Sequence, residues 1–285
     1  MILNHQTMKN ILLPTDFSEN ARNAIDYAME FFKNELCAFH ILNVQKASNY
    51  MMDDLMAAPA NTSIHQSVVQ GSKEKLSTLL KELKEEITHE NYTFHALTDY
   101  DIFTDAIQQA VKSKNIDLIV MGTNGATSAR EVVFGSNTLN VIRKVDCPVL
   151  VIPKGYVFEG LKTILYTIDY NDHFTTENIE PLVDTLHKYK ASLRILKIKE
   201  DDTVTIAEFD DKKHLKDFFK DINHTFHSIT NVPTPVAIDS FVQIMDVDMN
   251  AMFIHRETFL ERFFRGSETP KISYGTRVPL LVMHN

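Results

Sequence analysis

The chain has 285 residues, of which 44% are hydrophobic and 24% charged, and its formal net charge is −9. That length suits two domains, and the acidic balance excludes nucleic acid and anionic membrane surfaces as main partners, because both require a basic footprint. Cys37 and Cys147 stand in apolar runs, as small core residues do in a reducing compartment. MILNHQTMKN lacks a signal-peptide pattern, and no run approaches about 18 apolar residues, so we expect a cytoplasmic protein.

Short apolar runs alternate with helical periodicity throughout the first half. Five strands are predicted, at Asn10–Pro14, Ala38–Val44, Tyr92–Leu97, Asp117–Met121 and Pro148–Ile152. Apolar residues recur at helical spacing between them, from Ala21 to Phe32, from Leu76 to Ile87, from Phe103 to Val111 and from Ser136 to Val145. This alternation is typical of βαβ units and of a parallel sheet covered on both faces.

The second half repeats the first. KNILLPTDFSENA returns as KTILYTIDYNDHF from Lys162, AFHILNVQ returns as SLRILKIKE, and FGS before CPVLVIP returns as RGS before VPLLVMH. Repetition on this scale indicates a duplicated domain rather than a solenoid. Pro153 and Gly155 interrupt the pattern. We therefore predict two domains, 1–154 and 155–285, each an α/β unit with a five-stranded parallel sheet flanked by helices.

Three of the eight glycines, Gly122, Gly125 and Gly135, lie in the stretch GTNGATSAREVVFGSN, directly after the fourth strand. Ligands of open parallel sheets bind beyond the carboxyl ends of the strands, where the strand order reverses. If the first and fourth strands are neighbours there, Asp16 faces the glycines across one crevice, and the helix that starts at Ser136 offers its N-terminus to a phosphate. The alternative is a surface turn and an ordinary helix start. Neither GxxxxGK[ST] nor GxGxxG occurs.

The spacing G-x2-G-x9-G-S, the aspartate after the first strand and the final PVLVI together resemble the ATP-binding members of the universal stress protein family. The whole chain resembles a tandem of two such domains, which implies Rossmann-like domains of the adenine nucleotide alpha hydrolase-like type. The resemblance also implies an ATP site in which Asp16 holds the ribose and the main chain of Val44 meets the adenine edge. Gly122 and Gly125 would pass under the ribose and phosphates, and the phosphate tail would bind Gly135, Ser136 and Asn137. Mg²⁺ or Mn²⁺ would accompany the triphosphate.

The second half departs from this motif. His255 stands where Gly122 stands in the first half, and the next glycine, Gly266, follows after 11 residues instead of 13. Asp169 corresponds to Asp16, but an aspartate after a strand also caps turns and helices. We therefore expect one ATP per chain, bound in the first domain, and a degenerate site in the second.

Several other residues invite a functional interpretation. His224 and His227 are interpreted as solvated histidines on a helix, with a zinc pair as the alternative, while His40 and His95 are expected in the core of strands. The Met-rich segment KASNYMMDDLMAAPANTSIHQ is either a lid or partner-docking loop or a helix that covers the core. Arg130 is either a phosphate contact or a solvated side chain.

No constellation of catalytic residues is found, and Glu131 is the one carboxylate within the glycine stretch. The prediction is an ATP-binding stress-response module with slow ATP hydrolysis at most. Its rivals are a nucleotide hydrolase or adenylyl-transfer enzyme on the related ATP-pyrophosphatase-like fold, and a nucleotide-free protein that serves as an interaction surface for an unidentified protein partner.

The fifth strands bear on assembly. Single-domain members of the family pair through this strand, as the resemblance implies. Here PVLVI at Pro148–Ile152 and PLLVM at Pro279–Met283 belong to one chain, so their encounter is intramolecular. We predict an internal pseudo-dimer in which the two strands run antiparallel. A dimer of whole chains, formed through the Met-rich segment or the second domain, is a further assembly that the sequence allows.

Overall fold

The computed structural model describes residues 8–45, 64–87, 91–123, 134–168, 175–199, 215–254 and 276–284. The first half contains nine elements, namely β1 (Lys9–Pro14), α1 (Glu19–Phe31), β2 (Cys37–Val44), α2 (Ile64–Glu86), β3 (Tyr92–Asp99), α3 (Phe103–Lys114), β4 (Leu118–Gly122), α4 (Ser136–Lys144) and β5 (Val149–Ile152). The second half contains β6 (Thr163–Ile168), α5 (Thr176–Tyr189), β7 (Ser192–Lys199), β8 (His224–Thr230), α6 (Thr234–Ile244), β9 (Met249–Ile254) and β10 (Leu280–His284).

These ten strands form one continuous sheet in the order β3-β2-β1-β4-β5-β10-β9-β6-β7-β8. Within each half, neighbouring strands run parallel. From the outer edge inwards, equivalent strands follow the same order in both halves, as expected from a duplication, so the strand order is symmetric about the β5–β10 pair. The predicted α/β fold, with five parallel strands in each half, is therefore confirmed.

The halves join along a single seam between β5 and β10. These strands pair antiparallel, with Leu280 opposite Val151, Leu281 opposite Leu150 and Val282 opposite Val149. All six residues are at most 2% exposed. Each strand thus covers the apolar edge that the other would expose, and the predicted intramolecular pairing is confirmed.

Helices cover both faces of the sheet, and alternate residues of each strand supply two apolar cores. One core holds Ile11, Leu13, Phe39 and Ile41 together with residues of α1, α2 and α5. The other holds residues such as Leu12 and Leu42 together with residues of α3, α4 and α6. Both cores contain residues from the two halves, so the seam lies inside a shared hydrophobic interior. None of the helices in the ranges above is long and apolar enough to cross a membrane.

Polar contacts between α1 and α5 add a second link between the halves. The Lys188 ammonium donates to the main-chain oxygen of Phe31, at 2.5 Å, and also bonds the Glu35 carboxylate. Lys9 bonds Glu35 at 3.0 Å and Asp184 at 3.2 Å. The carbonyls at the C-terminal end of α1 carry partial negative charge, so a lysine placed there is favourable.

Candidate functional site

The site is framed by the two central strands of the first half. β1 is hydrogen-bonded to β2 on one side and to β4 on the other, with Ile11 opposite Leu118 and Leu12 opposite Ile119. The chain proceeds from β1 to β2 in one direction and returns to β4 in the other, so the strand order reverses between β1 and β4. This is the place at which open α/β sheets form a ligand crevice.

Asp16 lies at the exit of β1, within a turn that its own side chain supports. The Asp16 carboxylate accepts the Ser18 N–H at 3.0 Å, and the Thr15 hydroxyl accepts the Phe17 N–H at 3.0 Å. Phe17 has a φ of 63°, a left-handed conformation that non-glycine residues adopt infrequently. Ser18 then caps α1 by accepting the Ala21 N–H. The turn therefore holds the exposed Asp16 at the mouth of the crevice.

Val44 ends β2 beside this turn, and the hydrogen-bonding pattern of β2 gives the direction of its main chain. Gln45 N–H donates to Asp99 O on the β3 side, whereas Leu42 O accepts Thr15 N–H on the β1 side. Successive residues of a strand alternate in this respect. The N–H and C=O of Val44 therefore face the β1 side, one step beyond the last rung between β1 and β2.

A buried amide braces the two strand ends, and sequence reasoning missed it. Asn43 is 2% exposed, and its side chain donates to the Thr15 main-chain oxygen at 2.7 Å. Gln45 donates to the Asn43 side-chain oxygen at 2.6 Å and to the Ser72 hydroxyl of α2 at 2.7 Å. The brace fixes Thr15, and hence the turn of Asp16, against β2 and α2. An asparagine within the apolar run ILNV was the available signal.

Gly122 ends β4 and packs closely against α1. A Cβ at this position would lie 3.1 Å from the main-chain oxygen of Asn20 and 3.4 Å from its carbonyl carbon. Asn20 is itself buried. The structure thus supplies a reason for this glycine that sequence reasoning did not consider. The first turn of α1 packs against the side of Gly122 on which a Cβ would lie.

The chain leaves the sheet at Thr123 and returns to the same place at Gly135. Gly135 N–H donates to Thr123 O at 2.6 Å, and the Thr138 hydroxyl lies 3.0 Å from Gly122 O and 3.2 Å from Thr123 O. This clasp ties the start of α4 to the end of β4. Residues 124–133 of the glycine stretch, which include Gly125, Arg130 and Glu131, fall outside the described residues.

The N-terminus of α4 opens beside the clasp. Gly135 is the N-cap residue and provides no side-chain cap, and Ser136 and Asn137 in the first turn are exposed. Main-chain N–H groups in the first turn of a helix lack intrahelical acceptors and suit an anion. The hydroxyl of Thr123 is buried, at 1% exposure, and has no hydrogen-bond partner among the described residues. The structure thus brings Asp16, Val44, Gly122, Gly135, Ser136 and Asn137 to one end of the first half-sheet.

The second half does not repeat the asparagine brace. The alignment of AFHILNVQ with SLRILKIKE puts Lys197 of β7 at the position of Asn43. The three residues on which the expectation of a degenerate site depended, Asp169, His255 and Gly266, lie outside the described ranges. The Met-rich segment also lies outside them up to residue 63, with Met51, Met52 and Met56, and its last three residues begin α2.

The helical interpretation of His224 and His227 is wrong. Both belong to strand β8, where residues three apart point to opposite faces of the sheet. His224 Nδ1 lies 2.8 Å from Ile222 O, and the His227 ring packs against Phe241. The two rings therefore do not form a metal-binding pair, and the described part of the chain contains no cluster of three or more His, Cys, Asp or Glu side chains suited to a metal ion.

His40 is a core residue as expected, whereas His95 is exposed. The two rings stack across β2 and β3 with centroids 4.9 Å apart. His40 is 7% exposed, and its Nε2 lies 3.4 Å from the Asn10 side-chain oxygen. Burial, together with the neighbouring His95 and Lys114, lowers the pKa of His40 from 6.5 to about 4. His40 is therefore neutral at physiological pH.

A model of the universal stress protein family matches residues 7–153, just over half of the chain. The chain belongs to the universal stress protein family. One universal stress protein of Methanocaldococcus jannaschii is 28% identical over 156 residues, which are 51% of this chain and 95% of the relative. A universal stress protein of Archaeoglobus fulgidus matches 97% of this chain and 96% of its own, at 20% identity and a TM-score of 0.72, and so shares the fold of both halves.

The chain is thus a tandem universal stress protein. Another universal stress protein, solved in complex with cAMP, matches 52% of this chain and 98% of its own, at 18% identity and a TM-score of 0.38. That structure establishes nucleotide binding for that family member alone.

Proposed function

We propose that this tandem universal stress protein is a nucleotide-dependent regulatory module that binds ATP in its first half. The observation that carries the proposal is the hydrogen-bonded neighbourhood of β1 and β4, which puts the Asp16 turn and the start of α4 at the two sides of one crevice. The proposal includes the division into a nucleotide-binding domain, 1–154, and a second domain, 155–285, with a degenerate site.

Each part of the nucleotide has a matching group. The exposed Asp16 carboxylate suits the ribose hydroxyls, and one of its oxygens is already engaged by the Ser18 N–H, which holds it in place. The main-chain N–H and C=O of Val44 face the β1 side of β2 beyond the point at which β1 ends. They suit the hydrogen-bonding edge of adenine. The first-turn N–H groups of α4 and the Ser136 hydroxyl suit the phosphates. Mg²⁺ or Mn²⁺ would come with the nucleotide, because the triphosphate supplies the oxygen ligands that these ions prefer.

Slow hydrolysis at most is proposed, because the sequence contains no recognisable constellation of catalytic residues. Asp16 faces the ribose side of this arrangement. A module of this kind acts through the population of its nucleotide-bound form, which its partners would distinguish from the free form.

The test is a change of charge at the phosphate end. Ser136→Asp puts a carboxylate into the first turn of α4, where it is favourable for the helix but repels phosphate. We expect the ATP affinity measured by calorimetry to fall by at least about tenfold, with unchanged thermal stability. Thr176→Asp, the same change at the first turn of α5 in the second half, is the matched control and should bind ATP like the parent.

The protein as purified should also release ATP on denaturation, detected by mass spectrometry, with a calorimetric stoichiometry near one per chain. A stoichiometry near two would contradict the degenerate second site. Equal ATP affinity for Ser136→Asp and the parent would show that the first turn of α4 does not contact the phosphates.

A further inference from the structure

The outer edge of β3 is open in the part of the chain that the structure describes. β3 ends the sheet, with β2 on one side only. Asn91 O and Asp99 O accept N–H groups from Cys37 and Gln45 of β2, so odd-numbered residues of β3 direct their main chain towards β2. The N–H and C=O groups of the even-numbered residues, including Phe94, Ala96 and Thr98, therefore face outwards. An edge of this kind is a template for another strand.

Helix α2 runs beside this edge, with paired carboxylates on one side of the helix and lysines on the other. Arg22 of α1 pairs with Glu82 at 3.4 Å and also with Glu86, so these carboxylates point to the α1 side. Three exposed lysines of α2 line the opposite, β3 side: Lys73, Lys81 and Lys84. The acid at that rim is Glu85, which lies 3.8 Å from Lys81 and is largely exposed. A basic strip therefore borders the edge of β3 on a chain whose net charge is −9.

Between the lysines and the strand lies a groove of about 670 Å³. Its apolar floor is formed by the partly exposed Leu80 of α2, with the fully buried Leu76 beneath it, and Ala96 and Thr98 of β3 form the other wall. Ala96 is small and exposed, which leaves room beside the outward-facing main chain. The groove thus combines strand groups that have no partner strand among the described residues, an apolar floor and positive charge in one place.

We propose that this groove accepts an extended acidic peptide segment of a partner protein as an added strand on β3. The main-chain groups at Phe94, Ala96 and Thr98 pair with the peptide main chain, as in other cases of strand addition. The carboxylates on the face of the peptide towards α2 meet Lys73, Lys81 and Lys84. A second copy of this chain is a poorer occupant, because its own β3 edge would bring the same three lysines into apposition.

The test uses the full chain and a fluorescent, end-blocked eight-residue peptide of alternating Glu and Val, measured by fluorescence anisotropy. Two control peptides separate the sources of binding. One has Lys in place of Glu, and the other keeps Glu but carries an N-methyl group on every residue, which removes the main-chain donors on both sides. We expect the parent peptide to bind and both controls to bind at least about tenfold more weakly.

Two protein variants test the lysines. The double variant Lys81→Glu, Lys84→Glu should weaken binding of the Glu–Val peptide by at least about tenfold, whereas Lys112→Glu, Lys154→Glu, with the same charge change away from the groove, should not. Amide hydrogen exchange gives an independent readout. The peptide should slow exchange at Phe94, Ala96 and Thr98 and leave Thr93, His95 and Leu97, which already donate towards β2, unchanged.

The proposal is overturned if the Glu–Val peptide does not bind at millimolar concentration, or if the Lys peptide binds equally. Equal binding of the N-methylated peptide, or an exchange pattern without the alternation, would show contact by charge alone and would also overturn strand addition.

Discussion

Gly122 is a position at which a side chain should affect the fold itself. A Cβ there meets the main-chain oxygen of Asn20 at 3.1 Å, closer than ordinary contact, and the obstacle is helix backbone that cannot rotate away. Gly122→Ala requires α1 to shift by a few tenths of an ångström, and the two further carbons of Gly122→Val enlarge the conflict. Overpacking of this kind costs about 1–3 kcal/mol, so we expect Gly122→Val to lose that much stability and Gly122→Ala less.

The assay is chemical unfolding followed by circular dichroism, with calorimetry of ATP binding on the same samples. Gly71 is the matched control, since it lies within α2 and a Cβ there meets nothing within 4 Å. Gly71→Ala should raise stability by about 0.5–1 kcal/mol, because alanine is favoured in a helix interior. A Gly122→Val variant as stable as the parent would refute the packing argument and restore ligand approach as the reason for this glycine.

Three further outcomes are expected. The first half alone, 1–154, exposes the β5 edge that β10 covers, so it should self-associate in light scattering; a strictly monomeric half that binds no apolar dye would contradict this. Asn43→Ala leaves the buried Thr15 oxygen without its amide, so it should cost about 1–3 kcal/mol on unfolding and weaken ATP binding, whereas the exposed Asn137→Ala should leave stability unchanged. The pKa of His40 in the folded chain is about 4. Between pH 6.5 and pH 4 the unfolded chain takes up a proton that the folded chain does not, so the free energy of unfolding should fall as the pH drops through this range. The loss is about 3 kcal/mol at most, and His40→Gln should abolish it.

Much of this fold could be predicted from the sequence, because buried parallel strands read as uninterrupted apolar runs. NILLP, DLIVM and PVLVI are such runs, and the internal repeat identified their partners in the second half. The antiparallel seam was predicted from the resemblance to a family whose single-domain members pair through the fifth strand, and the repeat identified the two equivalent strands on this chain.

Strand β8 could not be predicted in this way. HTFHSIT lies at an edge of the sheet, is only partly buried and lacks an apolar run. Phe226 continued the helical spacing of Leu215, Phe218, Phe219 and Ile222, and the break is a turn at 219–222 that carries no glycine or proline. The local spacing of apolar residues therefore favoured a helix, whereas hydrogen bonding to β7 makes this segment a strand.

The sequence predicted which end of the sheet would hold the candidate site, but not the contacts that hold its residues in place. Asp16 follows β1, Gly122 ends β4 and Ser136 begins the helix after β4. The neighbourhood of β1 and β4 brings these positions together, and it can be inferred from strand order. The contact of Gly122 with Asn20 and the brace of Asn43 with Thr15 join residues far apart in sequence. Contacts of this kind depend on how the helices settle on the sheet, which periodicity does not specify.

The antiparallel seam has a geometric consequence for the two halves. Because β5 and β10 run in opposite directions, the carboxyl ends of the first five strands and those of the last five open at opposite ends of the sheet. The candidate crevice of the first half therefore lies at the end of the sheet opposite to the carboxyl ends of the strands of the second half. The halves communicate through the joined strands, the apolar cores that they share, the α1–α5 contact and His284 of β10, whose Nε2 lies 2.7 Å from Ile142 O of α4.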